Sequence, residues 1–211
     1  PDSFKTPLAL CYHGHQFGNY NPEIGDGRGF LYAQLREDTT NRLLDLGTKG
    51  SGTTPFSRSG DGRLTLKGAV REILASEYLN ALSVNSCKIL SVFETEEQLH
   101  RNDEPSPTRA AVLVRLSHSH IRIGSFQRLA YLNQPQEILT LARYVARYYY
   151  PDIDPESPPE APLLGLLEAL IICVAEMVAG WMAAGFVHGV LNTDNFNLTG
   201  ESFDYGPWRF L

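Results

Sequence analysis

The most informative segment reads His188-Gly189-Val190-Leu191-Asn192-Thr193-Asp194-Asn195 and continues to Asp204-Tyr205-Gly206-Pro207. It brings three side chains with hard oxygen atoms, those of Asp194, Asn195 and Asp204, within eleven residues. A Mg²⁺ ion that also binds nucleotide phosphates needs few protein oxygens and accepts an amide and a carboxylate together. The spacing therefore predicts a loop that can hold a metal ion and that carries a carboxylate able to act as a base.

The segments before this loop indicate a helical region. An apolar run over residues 163–186 predicts a long helix. We expect it to be buried at the centre of the molecule rather than to cross a membrane, because Glu168 and Glu176 interrupt it. Residues 136–149 have a helical pattern, and the proline-rich residues 151–162 predict a loop between the two helices.

The first part of the chain is rich in strand patterns and contains one helix. We predict strands over 30–35, 44–49, 90–93 and 111–116, a solvated loop over 95–108 and a helix over 64–83. A strand-rich half followed by a helical half predicts an α+β fold of two lobes, like that of protein kinases. The lobes would be residues 1–134 and 135–211.

A lysine and a glutamate have the spacing of a kinase-like ion pair. Lys49 ends a predicted strand, and Glu72 follows 23 residues later on the predicted helix. In kinase folds a helix glutamate holds such a lysine against nucleotide phosphates. The helix has an apolar face formed by Leu66, Val70, Ile73, Leu74 and Ala81. Glu77 shares that face and Glu72 lies on a face of small residues, so the pattern leaves both open as partners of Lys49.

Two further groups could contact an anion. The glycine-rich segment Gly25-Asp26-Gly27-Arg28 could let backbone N–H groups approach a phosphate, although the same glycines suit an ordinary tight turn. Arg115 and Arg122 stand seven residues apart and could clamp a terminal phosphate, or be ordinary arginines at strand ends.

The loop departs from kinase catalytic motifs at one position. Kinases place an asparagine five residues after the catalytic aspartate of His-Arg-Asp. Here His188 stands seven residues before Asn195, as that motif requires, but the aspartate position is Val190, which cannot act as a base. Asp204-Tyr205-Gly206 takes the place of Asp-Phe-Gly. The residues argue against an ordinary protein kinase and leave Asp194 as an available acid.

Composition excludes several other classes. The 211 residues are 43% hydrophobic and 20% charged, which suits one large domain or two small lobes. The net charge of −6 argues against a nucleic-acid binder or a membrane-surface binder, since both need a basic face. Cys11, Cys87 and Cys173 form no CxxC pair, which argues against a zinc ribbon or a disulfide scaffold and fits a reducing compartment.

The chain resembles the selenoprotein O (SelO) family, the pseudokinase-fold protein adenylyltransferases, in stretches that occur in family order. These stretches are YHGHQFGN (12–19), GDGR (25–28), KGSGTTPFSRSGDGR (49–63), REILASE (71–77), SHIRIGSF (119–126), HGVLNTDN (188–195) and DYGP (204–207). Members of that family transfer AMP, not phosphate, to protein hydroxyls. Their nucleotide is inverted relative to that of kinases, so that the α-phosphate faces the acceptor.

The resemblance implies a role for each candidate residue. It places ATP against Gly25, Gly27, Arg28, Lys49, Asp61, Gly62, Arg115 and Arg122, with the last two at the outer phosphates. Glu72 would pair with Lys49. Asp194 would be the base, and Asn195 and Asp204 would bind Mg²⁺, or Mn²⁺ in its place.

The resemblance also implies an activity and a setting. The protein would move AMP from ATP to Ser, Thr or Tyr hydroxyls of other proteins and release pyrophosphate, with no nucleic-acid or membrane partner. It would be cytoplasmic in a bacterium, or mitochondrial in a eukaryote. Family members continue past the Asp-Tyr-Gly-Pro segment with more helices, so we expect a truncated helical lobe. The alternative is an ATP-binding pseudokinase that transfers nothing.

Overall fold

The computed structural model describes residues 2–16 and 18–211 and has an α+β fold. Phe17, part of the first stretch quoted above, lies outside the described residues. The strands are β1 (Asp2–Leu8), β2 (Gly14–Gln16), β3 (Asn19–Asn21), β4 (Leu31–Arg36), β5 (Leu43–Lys49), β6 (Leu64–Thr65), β7 (Lys88–Leu99), β8 (Thr108–Ser117), β9 (Phe186–Val187) and β10 (Arg209–Phe210). The helices are α1 (Leu66–Ala81), α2 (Ile123–Tyr131), α3 (Pro135–Tyr149) and α4 (Glu160–Ala183).

The largest sheet has six strands, and all of its pairings are antiparallel. Its order is β1-β4-β5-β8-β6, and β7 also pairs with β8. The register between β5 and β8 places Gly47 opposite Arg115 and Lys49 opposite Leu113. Residues paired across strands share a face of the sheet, so Lys49 and Arg115 are diagonal neighbours on one face.

Strand β7 is longer than the sequence predicts. The prediction of a solvated loop from residue 95 is wrong for residues 95–99, because β7 stays paired with β8 up to Leu99, which lies opposite Thr108. The register shifts between Glu94 and Gln98, and Leu99 is buried. The polar side chains in this part of β7 are exposed, so backbone pairing holds as a strand a segment whose composition is typical of a loop.

Helix α1 packs against the sheet through its face of small residues. The helix begins after Thr65, whose hydroxyl accepts the Gly68 N–H at 3.0 Å, a cap that typically contributes about 1 kcal/mol. The buried residues are Ala69, Glu72, Ala75, Ser76 and Leu79. Val70 and Leu74 from the apolar face are instead exposed. The small side chains let the helix come close to the sheet and carry Glu72 inward with it.

Helix α4 is not buried, so the prediction of a buried central helix is wrong. By length and composition it could cross a membrane, and it is the one described helix that meets that test. Only Pro162, Leu166, Met177 and Trp181 are buried, and the large hydrophobic residues more than half exposed are Leu164, Leu167, Ile171, Ile172 and Met182. The described elements cover one side of α4. On that side Leu166 packs in a buried cluster with Val145 of α3, and Trp181 packs in a second buried cluster with Phe203.

The segment after β9 is held between the helices and the sheet. Leu198 packs in a buried cluster with Val145 and Tyr149 of α3. Farther along, the Ser202 N–H donates to Asn85 O at 2.9 Å, and the Cys87 N–H donates to Ser202 O at 3.0 Å. These contacts fix the loop that carries Asp194, Asn195 and Asp204 against the rest of the molecule.

One buried carboxyl makes stability depend on pH. Glu201 is 4% exposed, and its Oε2 accepts the His118 N–H at 2.7 Å. Burial raises the pKa of Glu201 to about 7. A carboxyl whose pKa is raised on folding contributes stability below its unfolded pKa, and that contribution is lost as the pH rises through the folded pKa.

We therefore expect Glu201→Gln to be more stable than the unchanged protein at about pH 8, by up to about 3 kcal/mol, and the gain to shrink toward about pH 5. Urea unfolding at both pH values measures it, with the exposed Glu77 changed to Gln as the control. A gain of the same size at both pH values would contradict the assignment.

Candidate functional site

Most of the candidate residues meet in one cleft of about 320 Å³ between the main sheet and the segment after β9. The candidates that line this cleft are Gly25, Gly27, Arg28, Lys49, Arg115, Arg122, Asp194, Asn195 and Asp204. They come from parts of the chain that are far apart in sequence, so the fold has gathered cations, carboxylates and glycines into a single concave site.

The lysine of the cleft is bound to Glu72. The distance from Lys49 Nζ to Glu72 Oε1 is 2.7 Å, and both side chains are buried. Glu77 is exposed on the other side of α1. The structure therefore selects Glu72 from the two partners that the sequence leaves open.

Asp204 is surrounded by three cations. Its Oδ1 lies 2.7 Å from Arg115 Nη1 and 3.2 Å from Lys49 Nζ, and its Oδ2 lies 2.5 Å from Arg122 Nη2. Burial alone would raise the pKa of Asp204, but the charges of Arg115, Lys49 and Arg122 outweigh it and hold that pKa well below its usual range. Asp204 is therefore a permanent carboxylate at the centre of a cationic cluster.

Two aromatic rings support the arginines of this cluster. The Arg122 guanidinium lies 4.1 Å from the ring centroid of Tyr12 and 4.8 Å from that of Phe203. The Arg115 guanidinium lies 5.2 Å from the same Phe203 ring. Asp26 adds a second carboxylate to Arg122 at 3.1 Å. Sequence reasoning assigned no role to Tyr12, Asp26 or Phe203, although the first two lie inside the quoted stretches and Phe203 adjoins Asp204.

Asp194 lies against Gly14 of β2. A Cβ atom at Gly14 would come within 2.4 Å of Asp194 Oδ1, so this approach requires glycine. Asp194 Oδ1 is buried and has no hydrogen-bond partner among the described residues. Burial raises the pKa of Asp194, which brings it nearer to the pH at which a general base works best. Gly14 stands in the first quoted stretch, but nothing in its spacing indicated this contact.

The glycine-rich segment is shaped by close packing. A Cβ atom at Gly25 would lie 2.4 Å from Cγ of the Phe56 ring, and one at Gly27 would lie 3.0 Å from the Phe56 carbonyl oxygen. Neither glycine has a positive φ angle, so neither is needed for a left-handed turn. Glycine at these positions lets the segment that contains Phe56 pack directly against the glycine-rich segment.

Asp61 and Gly62 do not line the cleft that holds Asp194. They border an adjoining hollow of about 460 Å³, and Gly27 and Arg28 line both spaces. Asp61 Oδ2 lies 2.8 Å from Nη1 of Arg101, a residue that the sequence did not indicate. Gly62 has a φ of 69°, and a Cβ there would overlap the Gly52 backbone, so only glycine fits.

The donor set of the cleft suits a magnesium ion. Asn195 and Asp204 both line it and offer an amide and a carboxylate oxygen, the hard ligands that Mg²⁺ accepts. Over the described ranges, no three His, Cys, Asp or Glu side chains lie close enough together to hold a metal ion. An ion bound here would therefore take few protein ligands, as Mg²⁺ does when phosphates supply the rest.

Removing the central carboxylate tests the charge balance of the cluster. We expect Asp204→Asn to lose about 3–5 kcal/mol of stability, because Lys49, Arg115 and Arg122 then repel one another in a buried site. Inorganic pyrophosphate without metal should raise the melting temperature of this variant more than that of the unchanged protein.

The control is Glu94→Gln, which breaks an exposed pair with Arg109 and should cost less than about 1 kcal/mol. Thermal unfolding with and without pyrophosphate measures all three proteins. If pyrophosphate stabilised Asp204→Asn and the control equally, the loss of Asp204 would not have freed Lys49, Arg115 and Arg122 to bind an anion.

The chain is similar to known proteins over almost its whole length. The family model described as "Protein adenylyltransferase SelO" matches residues 2–211. Three curated relatives, each named "Protein nucleotidyltransferase YdiU", are similar over nearly all of this chain. The protein from Synechocystis sp. is 56% identical over 97% of this chain and 43% of its own length. The one from Gloeobacter violaceus is 57% identical over 97% and 41%, and the one from Marinomonas sp. 42% identical over 100% and 43%.

The chain spans less than half the length of these relatives. The family match nevertheless runs through every part of it that lines the cleft. The chain belongs to the SelO family of protein adenylyltransferases.

Proposed function

We propose that this chain carries the nucleotide-binding and catalytic residues of a protein adenylyltransferase, which moves AMP from ATP to Ser, Thr or Tyr hydroxyls of protein substrates. The observation that carries the proposal is the cluster of Lys49, Arg115 and Arg122 beside Asp194 in one cleft. Three buried cations suit a polyphosphate, and an adjacent carboxylate suits proton removal from an acceptor. The name of the matching family supports the same activity.

The phosphates of ATP would lie in the cleft and the rest of the nucleotide in the adjoining hollow. Lys49, held by Glu72, and the arginines Arg115 and Arg122 bind the phosphates, with the arginines at the outer ones. Gly25 lines the cleft, and Gly27 and Arg28 lie between the cleft and the adjoining hollow. The hollow with Asp61 and Gly62 takes the rest of ATP, since Gly27 and Arg28 border both spaces.

The transfer follows from the order of these groups. Asp194 accepts the proton of the acceptor hydroxyl, whose oxygen forms a bond to the α-phosphorus. The bond from that phosphorus to the oxygen bridging to the β-phosphate breaks, and pyrophosphate leaves with the electron pair. Lys49, Arg115 and Arg122 offset the charge that develops on pyrophosphate. Asp194 thus supplies the carboxylate that kinases have at the position of Val190.

Asn195 and Asp204 would hold Mg²⁺, or Mn²⁺ in its place. A bound divalent ion supplies positive charge next to the phosphates. In the structure both oxygens of Asp204 contact cations, so an ion held there would share this carboxylate with Lys49, Arg115 and Arg122.

The arrangement of elements supports a kinase-like fold. We assign residues 1–134 to a strand-rich N-lobe and residues 135–211 to part of a helical C-lobe. The Lys49–Glu72 pair between a strand and a helix is the feature that supports this assignment most directly. The bacterial origin of the curated relatives supports a cytoplasmic setting.

Isotope position in ATP tests the reaction. With Mg²⁺ and ATP labelled at the α-phosphate, we expect label on protein, and with ATP labelled at the γ-phosphate we expect none. Asp194→Asn should lower the transfer rate by about 10²- to 10⁴-fold and leave ATP affinity nearly unchanged, since Asp194 acts on the acceptor proton.

The matched control is Asp152→Asn, which changes an exposed aspartate in the loop before α4. Transfer of γ-label would identify a kinase and overturn the proposal. ATP binding without any labelling would favour the pseudokinase alternative, and full transfer by Asp194→Asn would remove the proposed base.

A further inference from the structure

A buried histidine contacts the arginine at the centre of the cleft. His120 follows β8 and is 4% exposed. Its Nε2 accepts a hydrogen bond from the Nε–H of Arg115 at 3.3 Å. The other end of the guanidinium donates from Nη1 to Asp204 Oδ1 at 2.7 Å. Two contacts on different nitrogens fix both the position and the angle of a planar guanidinium.

The space for the histidine ring is left by a glycine of the sheet. Gly47 lies opposite Arg115 in the register of β5 and β8. A Cβ atom at Gly47 would lie 2.8 Å from His120 Nε2 and 3.1 Å from Cε1, too close for the ring to stay where it is. A methyl group at Gly47 would thus displace the nitrogen that accepts the hydrogen bond from Arg115.

The opposite side of His120 is fixed by Asp45. Asp45 Oδ2 accepts the backbone N–H of His120 at 2.8 Å and lies 3.5 Å from the ring Nδ1. Asp45 Oδ1 accepts a hydrogen bond from Gln34 Nε2 at 2.9 Å, so this carboxylate cannot turn freely. An arginine N–H can only donate, so Nε2 is the acceptor and a neutral ring carries its proton on Nδ1, and burial, which lowers the pKa of His120, favours the neutral form.

Arg115 has fewer carboxylate partners than Lys49 and Arg122, so its position depends more on the contact with His120. Lys49 has Glu72 and Arg122 has Asp26 as a second carboxylate. Among the described residues, Arg115 forms ion pairs with Asp204 alone. Apart from Asp204, Lys49 and Arg122 each contact another carboxylate, whereas the Arg115 guanidinium contacts only His120 and the face of Phe203 within the described part of the chain.

We propose that His120, oriented by Asp45 and accommodated by Gly47, is a positioning residue that holds the Arg115 guanidinium toward the outer phosphates of ATP. This inference rests on the proposed function, which gives Arg115 that task. His120 touches no reacting atom in this role and acts through the arginine.

Nucleotide affinity measures the positioning effect. We compare the Kd values of ATP and AMP, with Mg²⁺, for the unchanged protein, for His120→Leu and for the control His118→Leu. The control loses a histidine two residues away that packs on the Tyr149 ring at 5.2 Å. For His120→Leu we expect ATP affinity to fall about tenfold and AMP affinity to change less than about twofold, since AMP lacks the outer phosphates. For His118→Leu neither should change.

A measurement without nucleotide tests the contact itself. The Arg115 Nε–H resonance, assigned with Arg115→Lys, should exchange slowly with solvent in the unchanged protein and in His118→Leu. It should exchange faster in His120→Leu and in Gly47→Ala. Gly47→Ala keeps every polar group and has no positive φ to disturb, so it gives the answer even if His120→Leu folds poorly.

Three results would overturn the inference. Equal losses of ATP and AMP affinity would show that His120 only supports the fold, and unchanged ATP affinity would show that it does not position Arg115. Slow exchange of Arg115 Nε–H in both variants would show that the contact is absent. If the unchanged protein binds ATP no more tightly than AMP, the phosphate role of Arg115 in the proposed function fails first, and that result is visible without any variant.

Discussion

The carboxylate of Asp204 is the constraint on which the rest of the structure depends. It joins Lys49 of β5, Arg115 of β8 and Arg122 just before α2 through contacts of 2.5 to 3.2 Å. Charges interact strongly in a poorly solvated site, and an unpaired buried charge is costly. A single side chain therefore fixes the two central strands, the start of α2 and the segment after β9 relative to one another.

The same cluster gathers three cations in one cleft and keeps their charges balanced. Lys49, Arg115 and Arg122 are balanced in the structure by Glu72, Asp26 and Asp204, so three positive side chains face three negative ones. Under the proposed function, a nucleotide would meet three cations that the fold has already gathered in one cleft, so its binding would need little reorganisation.

The sequence predicts the members of the site better than their contacts. Two patterns identified candidate site residues. One is the spacing of Lys49 and Glu72, and the other is the polar loop with Asp194, Asn195 and Asp204. The choice of Glu72 over Glu77 depends on which face of α1 the sheet covers, and no pattern within one helix contains that information. For the same reason the apolar composition of α4 could not show that most of its apolar face is exposed in this chain.

The contacts missed by the sequence share one property, which is that they join segments far apart in the chain. His120 depends on a glycine in β5, and Asp194 lies against a glycine in β2. Trp181 of α4 shows how such contacts reach the segment after β9. Its ring stacks on His188 at 5.3 Å, and its Nε1–H donates to Ser202 Oγ at 2.7 Å. The buried Trp181 indole thus contacts the segment after β9 at both His188 and Ser202. The covered side of α4 therefore supports the site, even though the other side of the helix is exposed.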